Sequence, residues 1–251
     1  MNSLTRRKLL TTGSAAVAGA AGLATAARIA EKYGFIPPDH GTLYGAGATL
    51  TYACQRVLTA HRPMREFPRS MISTPFVSPF GKLPAAYHAS QANDFADWRL
   101  VVDGMVAHPL SLSIADLRTL AMRSQITEIA CEEGWSYIAE WIGTPLSLVL
   151  REAGIKPEAR YVAYYCIQDG LWDSVDIAEA NHPGTLLTWG MNGGELPVDY
   201  GAPLRLRLPR QIGYKSLKFL TRITATDSLK HFGKGLGSSS PEDGYSWYAG
   251  I

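Results

Sequence analysis

The stretch that decides the fold contains Ile129-Ala130-Cys131-Glu132-Glu133-Gly134-Trp135-Ser136 and, a few residues later, Trp141-Ile142-Gly143-Thr144-Pro145-Leu146. Just before it, Ser124–Ala130 alternates as a strand with one buried face does, so the strand delivers Cys131 at its end. Thr144-Pro145 predicts the start of a helix that runs through Ala153. Gly154 closes that helix, because proline favours the first helical position and glycine follows the last.

Outward from this stretch, the chain predicts short elements of both kinds. Ser113 caps a helix through Met122, with Asp116 three positions on, and Val175–Ala180 predicts one or two helical turns. A hairpin pairs Leu186–Trp189 with Glu195–Val198 across Asn192-Gly193. Further strands are predicted for Arg99–Gly104, Tyr161–Cys166, Leu204–Leu208 and Phe219–Thr224. The predicted class is α+β, with a mixed, mostly antiparallel sheet and short helices.

The net charge of the 251-residue chain is concentrated at its N-terminus. The formal net charge is +2, and residues 1–26 contain Arg6, Arg7 and Lys8 but no acidic residue. The remainder is close to neutral, which argues against nucleic acid as a partner, since phosphate binding needs a clustered basic surface. With 46% hydrophobic and 18% charged residues, the composition is that of an ordinary globular protein.

The first 27 residues predict an export signal. The basic start is followed by a weakly apolar, Gly/Thr-rich run and by small residues at Ala24-Thr25-Ala26. The adjacent arginines are typical of the twin-arginine route, which carries folded proteins. We therefore expect a periplasmic protein, and the sequence leaves open whether residues 1–27 are cleaved or remain as a membrane anchor.

Composition divides the remaining chain into three parts. Residues 28–97 are rich in glycine and proline and predict an irregular segment that wraps a core. Residues 98–232 contain the predicted elements and form the expected catalytic domain. Residues 233–251 form a C-terminal tail, whose Gly/Ser-rich start predicts mobility.

Common catalytic motifs are missing from the sequence. It has no HExxH, no GxSxG, no complete dinucleotide fingerprint and no cysteine pair at zinc, iron–sulfur or haem spacing. The three cysteines are Cys54, Cys131 and Cys166. An odd number in an exported protein leaves at least one thiol unpaired, and a bond to a metal would protect it.

Three segments read together resemble one family. The stretch around Cys131 resembles the cysteine-ligand region of the sulfite-oxidase-fold molybdopterin enzymes. Gly201-Ala202-Pro203-Leu204-Arg205-Leu206 resembles their second pterin segment, and Gly213-Tyr214-Lys215-Ser216-Leu217-Lys218 resembles their third. Within the family, the chain is most similar to the periplasmic protein-methionine-sulfoxide reductases, and the resemblance covers about residues 98–225.

The resemblance implies a molybdenum-molybdopterin cofactor and a set of residues that hold it. Cys131 matches the cysteine whose thiolate binds molybdenum beside the dithiolene of one pterin, with Glu133 two positions later as a catalytic candidate. Arg205 matches the arginine at the pterin phosphate, a suitable partner for an anion. The phosphate contact of the third segment falls on Ser216, Leu217 and Lys218. Arg207, one step along the same face, is expected to be an exposed strand residue.

Two positions depart from the family pattern. Tyr200 stands where the methionine-sulfoxide reductases have an asparagine, and Cys166 falls where they have a threonine. Both remain candidates for cofactor contact, Tyr200 through its hydroxyl. The family's N-terminal pterin segment has no clear counterpart, and either Phe76–Gly81 or Tyr87–Asn93 is expected to replace it. Four aromatic residues are pocket or core candidates: Trp135, Trp141, Tyr164 and Tyr165.

The residues after Cys131 bear on the substrate. Sulfite oxidases have a basic stretch there, whereas this chain has Glu132 and Glu133, which repel a dianion. The prediction is therefore oxygen-atom transfer on a small neutral oxo-substrate or a protein-bound sulfoxide, with electrons exchanged through a membrane or soluble partner. The alternatives are a sulfite-dehydrogenase-like oxidase and, from another class, a metal-free exported binding domain.

Overall fold

The computed structural model describes Thr25, Ala30 and residues 35–43, 45–59 and 62–251. Apart from Thr25, the predicted export segment therefore lies outside the described residues. Between Phe35 and the sheets, the described residues form two α-helices, α1 (Gly45–Thr59) and α2 (Ala85–Ala92). None of the helices in the described ranges is long and apolar enough to cross a membrane.

Ten strands and four further helices follow in chain order. The strands are β1 (Leu100–Gly104), β2 (Leu110–Leu112), β3 (Arg123–Ala130), β4 (Ser136–Pro145), β5 (Tyr161–Cys166), β6 (Trp172–Asp176), β7 (Leu186–Met191), β8 (Gly194–Glu195), β9 (Arg205–Arg207) and β10 (Leu220–Thr226). The helices are α3 (Ile114–Thr119), α4 (Leu146–Glu152), α5 (Ile177–Ala180) and α6 (Ser239–Glu242). All of these helices are short, as predicted.

The strands form two five-stranded sheets. The first has the order β2-β1-β10-β5-β6, and the second has the order β3-β4-β7-β8 with β9 paired to β7. Only β1 and β10 pair in parallel, and every other pair is antiparallel. The prediction of a mixed, mostly antiparallel α+β fold is confirmed.

The largest hydrophobic cluster takes its side chains from both sheets and from the helices beside them. Leu204, Leu206 and Leu208 belong to it, as do Val162 and Ile223 of the first sheet. The alternation of residues 204–208 predicted one leucine face, and the structure confirms it because all three leucines are completely buried. Burying this face anchors β9 and the loops at its two ends, which carry the candidate site.

Several predicted elements are confirmed at their caps and turns. Ser113 accepts a hydrogen bond from the backbone N–H of Asp116, whose carboxylate accepts one from the N–H of Ser113, so the predicted capping box is present. Asn192 and Gly193 have φ values of 52° and 81°, as the favoured two-residue hairpin turns require. These two residues connect β7 to β8 in a hairpin, but its second strand is Gly194–Glu195 and not the predicted Glu195–Val198.

Other boundaries are wrong. The helix after Ser113 ends at Thr119 instead of Met122, because Arg123 begins β3. Thr144 and Pro145 complete β4, so the next helix begins at Leu146. Trp172–Asp176 is a strand that pairs with β5, so only residues 177–180 of the helical segment predicted for 175–180 are helical.

The segments at both ends of the chain are more ordered than predicted. Residues 28–97 contain α1 and α2, although their composition predicted an irregular segment. The Gly/Ser-rich start of the tail, which was predicted to be mobile, packs against β6, since Ser238 is buried and the Ser239 hydroxyl donates to the carbonyl of Trp172 at 2.6 Å. The Trp247 indole N–H donates to the hydroxyl of Ser174 at 2.7 Å, and its backbone N–H donates to Asp39 at 2.9 Å. The tail therefore closes over β6.

Candidate active site

Cys131 occupies the tip of the hairpin formed by β3 and β4. The two strands pair from Arg123 opposite Gly143 to Ala130 opposite Ser136, and the backbone N–H of Cys131 donates to the carbonyl of Trp135 at 2.9 Å. Gly134 supplies the left-handed residue of this turn, with φ of 91°. The thiol therefore projects from a rigid turn at the end of the second sheet.

A cavity of about 330 Å³ opens beside the cysteine. Three of the regions that line it are the Cys131 turn, the segment from Tyr200 to Arg205 at the start of β9, and the loop after β9. Members of the lining from these regions are Cys131, Glu132, Glu133, Trp135, Tyr200, Arg205, Gly213, Ser216, Leu217 and Lys218. All of the predicted site residues except Cys166 are thus brought to one cavity.

Two glycines allow these regions to approach each other closely. A Cβ on Gly213 would lie 3.2 Å from the carbonyl oxygen of Ala130 and 3.6 Å from the Cβ of Cys131. A Cβ on Gly201 would lie 2.8 Å from the Cβ of Lys218, and Gly201 has φ of 106°. Larger residues at Gly213 and Gly201 would push these chain segments apart.

The carboxylates after the cysteine lie at its sulfur. The Cys131 thiol donates to Glu132 Oε2 at 3.0 Å, and Glu133 Oε2 lies 3.9 Å from the same sulfur. Glu133 also accepts a hydrogen bond from the Trp135 indole at 2.6 Å. Burial and the hydrogen bond to Glu132 raise the pKa of the Cys131 thiol to about 12. A cation bound at the sulfur would reverse that shift, because a coordinating thiol is deprotonated.

Arg205 and Lys218, which line the cavity, and Arg207, which does not, form no ion pair with a carboxylate of the described residues. Arg205 and Arg207 are 2% and 0% exposed. Arg205 donates to the carbonyls of Tyr200 at 3.0 Å and Ser216 at 2.7 Å. The Nε atoms of both arginines have no hydrogen-bond partner.

The pKa values of all three cations are lowered, chiefly by burial. Burial and the charge of Arg205 lower the pKa of Arg207 to about 9 and that of Lys218 to about 7. Burial also lowers the pKa of Arg205. Buried charges are normally paired, so this region has the electrostatic character of an anion-binding site. The residues therefore fit the phosphate of a molybdopterin, with the soft sulfur of Cys131 available to its metal.

Arg207 is a correction to the sequence analysis, which expected an exposed strand residue. Its guanidinium donates to Ser216 Oγ at 3.3 Å and to the carbonyl of Glu128. The Trp141 ring covers both arginines, with its centroid 5.2 Å from Cζ of Arg205 and 5.4 Å from Cζ of Arg207. The arginine face of β9 is therefore buried against the β3–β4 hairpin.

Cys166 does not line the cavity. Its thiol lies 3.5 Å from the carbonyl oxygen of Gln168 and 3.6 Å from that of Leu171, and it packs in a cluster with Tyr87 and Phe219. The side chain is buried in this apolar cluster and is not exposed to the cavity. Gln168 and Leu171, which follow it, do reach the lining.

Tyr200 and Lys218 tie a further segment to the cavity. The Tyr200 hydroxyl donates to the carbonyl of Pro75 at 3.2 Å, and the Lys218 ammonium donates to the carbonyl of Ser78 at 2.9 Å. Of the two segments that the sequence left open, Phe76–Gly81 lines the cavity. Tyr87 instead supports the second wall from behind, since its hydroxyl donates to the carbonyl of Ala202 at 2.8 Å.

The aromatic candidates divide between cavity and core. Trp135 lines the cavity and stacks on Phe76, with ring centroids 4.9 Å apart. Trp141 and Tyr164 are completely buried. Tyr165 stacks on Trp172. Only Trp135 among the four forms part of the cavity wall.

No pattern in the sequence indicated the buried ion pair between Lys215 of the third segment and Asp173. Lys215 is completely buried, and its ammonium forms an ion pair with Asp173 and donates to the carbonyl of Ser174 at 2.8 Å. The Tyr164 hydroxyl donates to the carbonyl of Lys215 at 2.8 Å. Asp173 is distant in sequence and follows no motif, so only the fold reveals this pairing.

Comparison with known proteins places these features in a family. Residues 87–231 match the family described as the oxidoreductase molybdopterin binding domain. The chain is 36% identical over 187 residues to YedZ1 of Azospira oryzae, which is named as a protein-methionine-sulfoxide reductase subunit; the match covers 73% of this chain. It is 34% identical over 145 residues to MsrP of Ralstonia nicotianae, a protein-methionine-sulfoxide reductase catalytic subunit, and here the match covers 52% of this chain.

The chain spans 66% and 44% of the lengths of these two relatives. Among solved structures, its fold resembles the crystal structure of the sulfane dehydrogenase SoxCD from Paracoccus pantotrophus, with a TM-score of 0.51. That match covers 53% of this chain and 39% of the other. At 24% sequence identity, the likeness concerns the fold alone.

Proposed function

The chain belongs to the oxidoreductase molybdopterin-binding domain family, and from this premise we propose that it transfers one oxygen atom to or from a neutral oxo-substrate, with a sulfoxide as the favoured class. Reduction of a sulfoxide consumes two electrons and two protons and yields a sulfide and water. The proposal rests on one observation: Cys131 and the unpaired cations Arg205 and Lys218 line the same cavity. The relatives named as methionine-sulfoxide reductase subunits support the substrate class.

The residues of the chain have distinct proposed tasks. Cys131 would be the protein ligand of molybdenum, and the cofactor would supply the two-electron oxygen-transfer chemistry when bound. Arg205, Lys218 and the Ser216–Leu217 backbone would hold the pterin phosphate, with Tyr200 beside them in the wall. Glu133, fixed by the Trp135 indole at 2.6 Å, would position the substrate or hold a proton at its second oxygen.

The acidic side chains near the sulfur favour a neutral substrate. Glu132 and Glu133 lie on the same turn as Cys131, and a carboxylate within a few Å of an incoming dianion raises its energy by about 1 kcal/mol or more. The alternative, a sulfite-dehydrogenase-like oxidase, finds support in Arg205 and Lys218, which also line the cavity. Arg210 offers no such support, because it forms a buried ion pair with Glu179 at 2.6 Å.

We also propose a location for the protein and a division of its chain. The Arg6-Arg7 pair and the residues after it support export by the twin-arginine route to the periplasm, where a membrane or soluble partner would exchange electrons with the site. Residues 98–232 would form the catalytic domain, with residues 28–97 wrapped around it and residues 233–251 as its tail. Cell fractionation of an Arg6→Lys, Arg7→Lys variant tests the route, since folded protein should then stay in the cytoplasm.

Metal analysis and one substitution test the chemistry. The purified protein should contain molybdenum and pterin, and Cys131→Ser should abolish sulfoxide reduction, because a hydroxyl does not replace a soft thiolate ligand. Cys54→Ser and Cys166→Ser are the matched controls and should retain activity. Full activity in Cys131→Ser would refute the assignment, and a protein without metal or pterin would favour the binding-domain alternative.

A further inference from the structure

The outward face of α1 is apolar. Leu50, Val57 and Leu58 are 67%, 68% and 72% exposed, and Leu43, just before the helix, is 92% exposed. These are the four most exposed large apolar side chains in the described part of the chain. The spacing of Leu50, Val57 and Leu58 places them on one side of the helix, together with the exposed thiol of Cys54, and Leu43 lies in the turn before the helix. We call this face, formed by Leu43, Leu50, Cys54, Val57 and Leu58, the stripe.

The inward face of α1 already provides the contacts that hold the helix to the domain. The Tyr52 hydroxyl donates to Asp176 at 2.9 Å, and the Tyr52 ring meets the edges of Trp247 and Tyr248. Arg56, the one charged residue of this 15-residue helix, also faces inward and pairs with Asp176 at 3.5 Å. A surface helix normally has its charged residues outside. The stripe is therefore not explained by the packing of this domain.

The charges in the sequence on either side of the stripe bear on which kind of surface contacts it. Residues 9–27 contain no charged side chain. Arg28 and Lys32, with Glu31 between them, precede the stripe. Arg62 and Arg65 follow it and are exposed, while the adjacent Glu66 pairs with Arg123 at 2.8 Å.

Apolar side chains flanked at both ends by basic residues are the pattern of a helix that lies in the headgroup region of an anionic membrane. We propose that the stripe docks α1 on the surface of an anionic lipid bilayer. A second copy of the chain fits less well, because pairing two stripes would bring their flanking cations together. None of the residues of α1 lines the cavity, so the docked enzyme keeps its active site free. The inference does not depend on the molybdenum chemistry.

The native thiol of Cys54 provides a direct test. The full chain is mixed with vesicles of equal parts phosphatidylethanolamine and phosphatidylglycerol, and alkylation of Cys54 by a water-soluble maleimide is followed by peptide mass. Docking should slow the alkylation of Cys54 by about tenfold or more. A thiol introduced as Met122→Cys, at an apolar position outside α1 that is 64% exposed, should react equally fast with and without vesicles.

A paired substitution tests the stripe itself. Leu50→Glu with Leu58→Glu should lower the vesicle-bound fraction by about tenfold, since two charges enter the apolar contact. Met122→Glu should leave the bound fraction unchanged, and circular dichroism should show both variants folded. Phosphatidylcholine vesicles should bind less protein than the anionic ones.

Three results would overturn the proposal. Cys54 that stays equally reactive on vesicles would show that the stripe faces water. Vesicle binding that persists in Leu50→Glu, Leu58→Glu would assign the contact to the N-terminal residues instead. Protection of Cys54 that rises with protein concentration in the absence of vesicles would show that a second copy covers the stripe. Because vesicle binding is measured without turnover, none of these results alters the proposed reaction.

Discussion

Buried cations on the same short stretch, residues 205–218, fall into two groups with opposite environments. Lys215 and Arg210 are each paired with a buried carboxylate, Asp173 and Glu179 respectively. Arg205, Arg207 and Lys218 are buried or half-buried and have no acidic partner in the described structure. The paired group faces the first sheet and the chain ends, and Arg205 and Lys218 of the unpaired group line the cavity.

The paired cations stabilise the fold, whereas the unpaired cations are those that we expect to bind an anionic ligand. An ion pair satisfied inside the protein contributes to the position of its chain segment, and losing one partner is strongly destabilising. An unpaired buried cation raises the energy of the folded state until an anion arrives. Residues 205–218 therefore contain both the ion pairs that hold this segment in place and the unpaired cations that we propose bind a phosphate.

Removing a paired cation should have the largest effect on stability. Lys215→Met leaves Asp173 buried without its partner, so the free energy of unfolding of the cofactor-free protein should fall by about 3–5 kcal/mol, measured in urea. The double variant Lys215→Met, Asp173→Leu removes both charges and should recover most of that loss. A single variant as stable as the wild type would mean that the pair does not anchor the loop.

Removing an unpaired cation should instead affect cofactor retention. Arg205→Gln and Lys218→Met each remove a charge-assisted contact to the phosphate, which corresponds to about 1.5–3 kcal/mol, or roughly tenfold to hundredfold in affinity. Their unfolding free energies without cofactor should change by only about 1 kcal/mol. Pterin and molybdenum content of the purified variants is the measurement, and wild-type content in both would place the phosphate elsewhere.

The pKa of Lys218 makes anion binding depend on pH. Burial and Arg205 hold this pKa at about 7, so the ammonium is charged below pH 7 and neutral above it. Sulfate, whose charge is constant in this range, should bind the cofactor-free protein about tenfold more weakly at pH 8 than at pH 6. Without an anion, stability should rise with pH above 7, because the unfolded lysine keeps its proton there.

Thermal shift with sulfate measures this dependence. Lys218→Arg is the matched control, since a guanidinium stays charged throughout the range. Sulfate should stabilise that variant equally at both pH values. A wild-type profile as flat as that of Lys218→Arg would show that Lys218 is not the titrating group.

The smallest expected effect concerns the acidic residues after Cys131. Glu133→Gln removes one negative charge with little change in shape and can still accept the Trp135 hydrogen bond. The ratio of kcat/KM for sulfite to kcat/KM for a neutral methyl sulfoxide should therefore rise about threefold to tenfold. A wild type that already prefers sulfite by a wide margin would favour the sulfite-dehydrogenase-like alternative.

Local signals in the sequence predicted those parts of the fold that depend on neighbouring residues. The Ser113 cap, the Asn192-Gly193 turn and the leucine face of residues 204–208 all follow from contacts within a few positions. Boundaries failed where pairing with a distant strand overrode local preference. Pro145 is in a strand because β4 pairs with β7, and residues 172–176 extend because they pair with β5.

Among the site residues that the sequence predicted, most line the cavity and one does not. Cys131, Glu133, Arg205, Ser216, Leu217, Lys218 and Tyr200 were predicted from the sequence, and all of them line the cavity. Cys166 was also predicted and does not line it, since its side chain is buried in an apolar cluster with Tyr87 and Phe219. Its position in the sequence contains no information about which side of the strand meets the cavity.

The sequence by itself determined the fold class, the position of Cys131 at the end of a strand and the family resemblance, because these follow from short-range patterns. Only the tertiary structure decided that Arg207 is buried, that Lys215 pairs with Asp173 and that Phe76–Gly81 forms a wall of the cavity. The physical reason is that the energy of a charge depends on burial and on partners far away in sequence. The three arginines and two lysines of residues 205–218 are therefore of the same charge in the sequence, but folding places them in different environments.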